Sequence, residues 1–179
     1  MSALLFIIDT LLTLALFAAL LRLFMQWSRA DFRNPISQAV VRLTNPVIMP
    51  LRRILPPVGR IDTASVVAVL LTAALYVGAM SLLADGAVPP SGLALLRAMV
   101  VKILDTTLWL YFYAIVLYAL LGLIVPGGYS PMQSLLTSLC EPVLRPIRRV
   151  IPPVGGLDLS PLWVGIAIQA LLIALHELA

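Results

Sequence analysis

The chain has 179 residues, of which 61% are hydrophobic and 11% are charged, and its formal net charge is +4. A typical soluble domain is about half apolar and a quarter charged, so this composition excludes an ordinary soluble fold and indicates a membrane protein. Four apolar runs are long enough to cross a bilayer as helices of about 20 residues. They are residues 4–21, 64–84, 106–125 and 159–175.

The first apolar run, residues 4–21, is interrupted only by Asp9. An ionisable residue inside a membrane helix is a functional hypothesis by default, because burying its charge in lipid is costly. Asp9 lies near the start of the run, so its carboxylate either reaches water at the membrane surface or forms an ion site or a contact between helices. Asp105 has the equivalent place beside the third run, and Lys102, one turn earlier, is predicted to pair with it.

A surface helix is predicted after the first run, because Asn34 is a good N-cap residue and Pro35 suits the first helical position. Apolar residues then recur at helical spacing, at Ile36, Val40, Leu43 and Val47. This pattern is typical of an amphipathic helix about three turns long. Pro50 removes a backbone donor and is predicted to kink or restart the helix.

The segment NPVIMPLRRILPPVGRID, residues 45–62, leads the chain back towards the membrane. Its marked residues are Pro46, Pro50, Arg52, Arg53, Pro56, Pro57, Gly59 and Asp62. The arginines can reach lipid headgroups, and the double proline cannot continue a helix. The glycine supplies a turn, and the aspartate is predicted to cap the first amides of the second span. The pattern fits both a segment that lies on the surface and one that dips into the bilayer.

The same segment is present a second time. EPVLRPIRRVIPPVGGLD, residues 141–158, is identical to residues 45–62 at 10 of 18 positions, with an offset of 96. Its marked residues are Pro142, Pro146, Arg148, Arg149, Pro152, Pro153, Gly155 and Asp158. Proline at the equivalent of Pro50 predicts the same kink in the second surface helix.

The offset extends over the whole chain, which is therefore two copies of helix, loop and helix. It pairs the two aspartates described above, and it pairs the first helix start with Ser130-Pro131. The apolar stripe recurs at Met132, Leu136, Leu139 and Val143. We predict one membrane domain with repeats at residues 1–88 and 89–179, and a loop-forming linker at residues 85–97.

The arginines predict the orientation, because basic residues in short loops stay on the cytoplasmic side. The loops after the first and third helices hold nine arginines, in addition to Arg22 at the inner end of the first helix, whereas the opposite side has only Arg97 and Lys102. Both loops are therefore expected in the cytoplasm and both chain ends outside. The expected fold is an all-α integral membrane protein with four transmembrane helices in two parallel helix-loop-helix repeats, each with an amphipathic, Pro/Arg-rich interfacial segment.

The doubled proline and arginine pattern between transmembrane helices resembles the YggT family of small integral membrane proteins, over nearly the whole chain. The first copy departs from the family pattern at Asn45, where an acidic residue such as Glu141 is common, and at Arg60, where a glycine such as Gly156 is common. If the acidic residue pairs with an arginine across the loop, only the second copy can form that pair.

The resemblance implies a location in the bacterial cytoplasmic (inner) membrane and no catalytic activity. Bacterial members of the family look linked to cell-division gene neighbourhoods and to osmotic or ion stress, and plastid relatives to cytochrome b6 haem maturation and nucleoid organisation. No cofactor or metal is expected, since His176-Glu177 lacks a second histidine and Cys140 is the lone cysteine. No nucleic acid is expected either, because membrane topology already accounts for the arginines.

Two interpretations of the arginine pairs remain open at this point. Arg52-Arg53 and Arg148-Arg149 either dock an acidic partner or a lipid headgroup, or only fix the orientation of the loop. We expect a non-catalytic scaffold or assembly factor for a membrane complex, with anionic lipids and a membrane-protein partner or a second copy as partners. The alternative is a channel, a transporter or an accessory to one in osmotic or ion homeostasis.

Overall fold

The computed structural model describes residues 3–56, 62–84, 90–124, 130–151 and 158–178, and the regular structure in these ranges is entirely α-helical. The helices are α1 (Ala3–Trp27), α2 (Pro35–Ile54), α3 (Thr63–Ala84), α4 (Gly92–Ile124), α5 (Pro131–Val150) and α6 (Ser160–Leu178). Four of them, α1, α3, α4 and α6, are long and apolar enough to cross a membrane. The predicted fold class is confirmed.

Helix α4 is longer than the sequence predicted. It begins at Gly92, within the predicted linker of residues 85–97, and it has 33 residues. Its length is about 50 Å, which exceeds the roughly 30 Å hydrocarbon core of a bilayer. The prediction was wrong because it took only the apolar run as helix, whereas a helix can continue into the headgroup region where charged side chains such as Arg97 are solvated.

The predicted starts of the two surface helices are confirmed. Helix α2 begins at Pro35, and the Asn34 side chain accepts a hydrogen bond of 2.9 Å from the Ile36 amide. Helix α5 begins at Pro131, and the Ser130 hydroxyl accepts one of 3.1 Å from the Gln133 amide. These side chains replace hydrogen bonds that the first turn of a helix lacks.

Neither surface helix is interrupted at its second internal proline, so of the predicted kink or restart at Pro50 and Pro146 the restart was wrong, and the kink stays a prediction. Helix α2 runs through Pro46 and Pro50, and α5 runs through Pro142 and Pro146. Each pair is spaced by four residues and lies on the exposed face of its helix. The missing N–H donors are therefore on one side only, and the hydrogen bonds of the other side hold the helix together.

The two helices end two residues before the double prolines, at the predicted place. Leu55 and Ile151 have extended backbone, as a residue before proline requires. Pro56 is described, and its carbonyl accepts a hydrogen bond of 2.8 Å from the Thr63 hydroxyl at the start of α3. The predicted motif residues Pro57, Gly59, Pro152, Pro153 and Gly155 lie outside the described residues.

The apolar stripe predicted on α2 divides between two environments. Ile36 and Val40 pack on a cluster that includes Leu135 and Leu139 of α5, whereas Leu43 is 71% exposed and Val47 is also exposed. In a bilayer, outward apolar side chains are covered by lipid, which is as apolar as leucine. On α5, Leu136 and Leu139 of the predicted stripe are buried, while Val143 is partly buried and Met132 is more exposed.

The central helices of the bundle are α1 and α4, the first spans of the two repeats. Helix α3 packs on both of them, and α6 packs on α4. The core between α1, α3 and α4 is formed by Leu16, Leu20 and Leu110 with small residues such as Ala73. The second core joins α4, α5 and α6. Helix α2 packs on α1 and α3 in the same way, so each surface helix is fixed against the spans of its own repeat.

The surface helices also join the repeats to each other. The Asn34 side chain donates a 2.5 Å hydrogen bond to the Pro131 carbonyl at the start of α5. Met25 and Ala30 pack beside Leu135 and Leu139 in the same region. The two arginine-bearing helices therefore lie at one end of the bundle, which we call the arginine-rich end, while Asp9 near the start of α1 lies at the opposite end.

Candidate functional site

In the second repeat, the arginine-rich end is organised around Arg148 of α5. Its guanidinium contacts Glu141 at 2.8 Å, Asp158 at 2.7 Å and the Tyr118 hydroxyl at 2.9 Å. The acidic residue of the family pattern does pair with an arginine in this copy, two turns further along the same helix. Asp158 also accepts a 2.9 Å hydrogen bond from the Ser160 amide, so it caps α6 as predicted.

These contacts favour the charged forms of both partners. Burial acts against the charge of Arg148, but its hydrogen bonds to Asp158 and Tyr118 and its electrostatic attraction to them together outweigh burial and raise the pKa of the guanidinium. Burial likewise opposes ionisation of Asp158, yet hydrogen bonds from Ser160 and Arg148 lower the pKa of its carboxyl. The result is an ion pair that stays charged over the physiological pH range and ties the end of α5 to the start of α6.

In the first repeat, the corresponding pair is Arg52 and Asp62, whose closest atoms are 2.6 Å apart. The Asp62 carboxylate also accepts hydrogen bonds from the Ser65 hydroxyl at 2.7 Å and the Gln26 amide at 3.1 Å. Burial opposes ionisation of Asp62, but the hydrogen bonds from Arg52, Ser65 and Gln26 together lower the pKa of its carboxyl to about 2. Asp62 therefore links α1, α2 and α3 through one ionised group.

The predicted side-chain cap at Asp62 was wrong. The amides of Ser65 and Val66 bond to the backbone carbonyl of Asp62, at 2.9 and 3.2 Å, while its carboxylate turns towards Arg52. The oxygens of the Asp62 carboxylate instead accept from the side chains of Arg52, Ser65 and Gln26. The two copies of the motif thus share the ion pair but differ in the cap.

The sequence analysis did not identify Arg22 of α1 as part of this site. Its side chain is only 3% exposed and donates to Thr44 at 2.7 Å, to Asn45 at 2.9 Å and to the Val41 carbonyl at 3.2 Å. These acceptors lie on the buried face of α2, so Arg22 fixes α2 against the first span. The charges of Arg52 and Asp62 also act on it.

The second arginine of each pair has a different environment from the first. Arg53 and Arg149 are exposed, and neither forms an ion pair or a hydrogen bond with any part of the chain that the structure describes. Each is followed by a strongly exposed apolar residue, Ile54 at 77% and Val150 at 79%. The two repeats therefore present the same outward combination of one guanidinium and one apolar side chain.

At the opposite end, Asp9 has a partner that the sequence did not reveal. Its carboxylate accepts a 2.7 Å hydrogen bond from the Tyr76 hydroxyl of α3. Such a contact between helices is one of the two interpretations left open for Asp9, and it fixes α1 to α3. The hydroxyl supplies a donor that lipid would not.

The predicted pairing of Lys102 with Asp105 was wrong. Lys102 lies 3.8 Å from the ring centre of Tyr76 and donates to the Thr13 hydroxyl at 3.2 Å, while Asp105 contacts His176 of α6 at 3.1 Å. Spacing along one helix favours the local pair, but neighbouring helices supply competing partners for both side chains. In the described ranges, no three His, Cys, Asp or Glu side chains are grouped so that they could hold a metal ion.

Comparison with known proteins identifies the family. The CCB3/YggT family model matches residues 1–83 and again residues 98–179. This chain belongs to the CCB3/YggT family. The uncharacterized protein YggT of Escherichia coli K12 is 37% identical over 166 residues, which cover 90% of this chain and 83% of that protein. An uncharacterized protein of Pseudomonas aeruginosa is 38% identical over 99% of this chain and 91% of its own length. No solved structure matches.

The departure from the YggT pattern at Asn45 has a structural counterpart on α1. The offset of 96 pairs Asn45 with Glu141 and Arg22 with Tyr118. In the second repeat the acid binds Arg148, beside the tyrosine; in the first, the amide accepts from the arginine that replaces the tyrosine. The differences at the two positions are therefore coupled: the first repeat has a cation and a neutral amide where the second has a neutral tyrosine and an anion. Comparison of both pairs of positions together was the signal that could have identified Arg22.

Proposed function

We propose that this YggT-family protein is a non-catalytic scaffold or assembly factor for a membrane complex, and that Arg53 and Arg149 dock it to an acidic partner at the cytoplasmic face of the inner membrane. The observation that carries the proposal is that the two arginines of each pair have different environments. The first arginine is bound inside the motif, whereas the second is exposed and unpaired in the described residues.

This difference reduces the docking surface from the four arginines suggested by the sequence to one exposed arginine in each pair. Arg52 and Arg148 have their guanidinium groups occupied by carboxylates of the same chain, so they position the motif. Arg53 and Arg149 can donate hydrogen bonds without breaking an internal ion pair, and the guanidinium suits bidentate binding of a carboxylate or phosphate. The adjacent Ile54 and Val150 would contact the lipid boundary or an apolar part of the partner.

The orientation supports this surface as the cytoplasmic one. The motif loops contain most of the arginines of the chain, and the positive-inside rule then directs α2 and α5 towards the cytoplasm. There, anionic headgroups add roughly 1 kcal/mol of attraction per basic residue and would hold both docking sites in the plane of the membrane. From the family resemblance, we propose that the membrane complex that this protein assembles acts in cell division or envelope organisation.

The alternative, a channel or transporter function in osmotic or ion homeostasis, has weaker support in the described residues. The charged side chains of the spans gather towards the two ends, and between them the interior is filled by Leu16, Leu20, Leu110 and Ile115. An ion crossing one monomer would meet this apolar layer without polar ligands. A pore would therefore have to form between copies of the chain.

Photocrosslinking in living membranes tests the docking proposal, with probes at Ile54 and Val150. The expected result is a discrete partner band that is lost when Arg53 and Arg149 are both changed to alanine. The matched control changes Arg42 and Arg145 to alanine, since these arginines are also exposed on α2 and α5 and their removal deletes the same charge. This control should keep the band.

Two results would contradict the proposal. Equal loss of the band in both double variants would mean that total charge, and not the position of the guanidinium, holds the protein at the membrane. If the probes crosslink only to lipid or to a second copy of the chain, there is no evidence for a client protein, and an oligomeric channel is favoured. In that case, ion or solute flux through reconstituted liposomes that disappears on Asp9→Ala would support the alternative.

A further inference from the structure

A second binding site lies at the end of the bundle opposite the arginine-rich end. A groove of about 630 Å³ opens there between α3, α4 and α6. Its walls combine apolar side chains, such as Val77 and Val101, with the polar side chains of Arg97, Lys102, Asp105 and His176. Charged side chains of both signs therefore meet an apolar surface in one groove.

Lys102 is the group that indicates a ligand. It is partly buried and no carboxylate of the described residues lies within 4 Å of its ammonium, whose contacts are the Tyr76 ring and the Thr13 hydroxyl. An ammonium group has three N–H donors, so one hydroxyl leaves donors without an acceptor. Because Lys102 also lines the groove, an anionic group in the groove could accept from it.

The groove lies at the level where lipid headgroups are expected. Asp105 and the end of α4 at Ile124 are separated by about 28 Å of helix at 1.5 Å per residue, close to the thickness of the hydrocarbon core. Lys102 is one turn further out and Arg97 lies beyond it, so these charges can occupy the interface while the apolar wall continues into the acyl-chain region. A lipid is thus better placed to enter the groove than a solute from water.

The distribution of charge selects the headgroup. Lys102 offers a cation for a phosphate, and Asp105, one turn away on the same helix, offers a carboxylate for a cation. His176 occupies one side of Asp105, but a carboxylate has about four acceptor positions, so others are available. Arg97 also lines the groove, so a phosphate can meet two cationic side chains there, but a purely anionic headgroup has no amine for Asp105. A headgroup with both a phosphate and an ammonium uses the charges of both signs.

We propose that this groove binds a zwitterionic phospholipid with a primary amine, as in phosphatidylethanolamine. Its phosphate accepts hydrogen bonds from Lys102, its ammonium approaches Asp105, and its chains follow the apolar wall formed with Val77 and Val101. A choline headgroup binds less well because its quaternary ammonium has no N–H to donate. The site does not involve the arginine-rich end and is independent of the docking function proposed above.

Native mass spectrometry of the purified full-length protein tests this proposal, with phosphatidylethanolamine, phosphatidylglycerol and phosphatidylcholine added at equal concentration. We expect phosphatidylethanolamine to bind most tightly. Lys102→Met should weaken its binding by about tenfold or more, the size of one charge-assisted hydrogen bond. Asp105→Asn should remove the preference over phosphatidylglycerol while the phosphate contact persists.

The controls separate the site from general effects. Lys102→Arg keeps the cation and should retain binding even if Lys102→Met proves too unstable to purify. The Arg53→Ala, Arg149→Ala variant changes only the opposite end, so it should leave the binding of phosphatidylethanolamine and its dependence on Lys102 unchanged. Tighter binding of phosphatidylglycerol than of phosphatidylethanolamine to the Arg53→Ala, Arg149→Ala variant, which lacks the exposed arginines that suit an anionic headgroup, would overturn the proposal. Binding of phosphatidylethanolamine that neither Lys102→Met nor Asp105→Asn alters would also overturn it.

Discussion

Arg52→Ala should destabilise the protein, whereas Arg53→Ala next to it should not. Arg52 donates to the Asp62 carboxylate at 2.6 Å through one nitrogen and at 3.2 Å through another. Asp62 is only 8% exposed, so removal of the arginine leaves a largely buried carboxylate with Ser65 and Gln26 as its donors. Arg53 has no contact of this kind to lose.

The magnitude follows from the pKa of Asp62. A decrease from 3.8 to about 2 on folding corresponds to about 2 kcal/mol of stability at neutral pH. Arg52 supplies the largest of the hydrogen bonds that lower the pKa, but its own side chain is 46% exposed and solvent screens part of its effect. We therefore expect Arg52→Ala to cost about 1 to 2 kcal/mol, and Arg53→Ala to stay within about 0.5 kcal/mol of the native protein.

The pH dependence gives an independent check of the same pair. The folded-state pKa of Asp62 is below its unfolded value, so its stabilising effect is complete above pH 3.8 and is lost as the pH falls from there towards 2. Asp62→Asn should therefore be less stable than the native protein at neutral pH. The difference should shrink as the solution is acidified through that interval.

Reversible unfolding in mixed detergent micelles, followed by circular dichroism, measures these differences in the free energy of unfolding. Equal destabilisation by Arg52→Ala and Arg53→Ala would refute the conclusion that only Arg52 stabilises the fold. A stability difference between native protein and Asp62→Asn that stays constant from pH 5 to pH 2 would refute the assignment of the ion pair as the cause.

Three further results are expected. Arg148→Met should lower the free energy of unfolding by about 1 to 2 kcal/mol, because it leaves two carboxylates without their cation, while Arg149→Met should change it by less than about 0.5 kcal/mol in the same unfolding assay. Asn45→Glu should raise it by about 0.5 to 1 kcal/mol, since the new carboxylate would face buried Arg22; unchanged stability would contradict this charge imbalance. Cys140, whose thiol pKa burial raises to about 12, should resist maleimide at pH 8 until the protein is unfolded.

The sequence predicted the features that depend on neighbouring residues. The apolar runs correspond to four spans, and the N-caps Asn34 and Ser130 gave the starts of both surface helices. The doubled motif predicted where those helices end, because a proline constrains the residue before it whatever the tertiary structure. The predictions failed where a helix could continue beyond its apolar run, as α4 does, or through an exposed proline, as α2 does at Pro50.

The contacts of the charged side chains could not be predicted in the same way. Lys102 and Asp105 suit each other along one helix, yet each contacts residues far away in the chain, Tyr76 and Thr13 in one case and His176 in the other. The choice depends on which helices are neighbours, and a single sequence does not specify it. The same holds for Asp62, which became part of an ion pair instead of a cap.

The duplication shows which parts of the motif the fold needs and which can differ. Both repeats keep the ion pair that joins the surface helix to the following span, Arg52 with Asp62 and Arg148 with Asp158. Around that pair the charges are reversed: Arg22 adds a buried cation to the first repeat, whereas Glu141 adds an anion to the second. The ion pair together with its neighbouring charge therefore sums to +1 in the first repeat, from Arg22, Arg52 and Asp62, and to −1 in the second repeat, from Glu141, Arg148 and Asp158. The proposed partner would therefore meet a different local charge beside each exposed arginine. A partner with two different contact regions fits this end better than one that uses two copies of the same contact region.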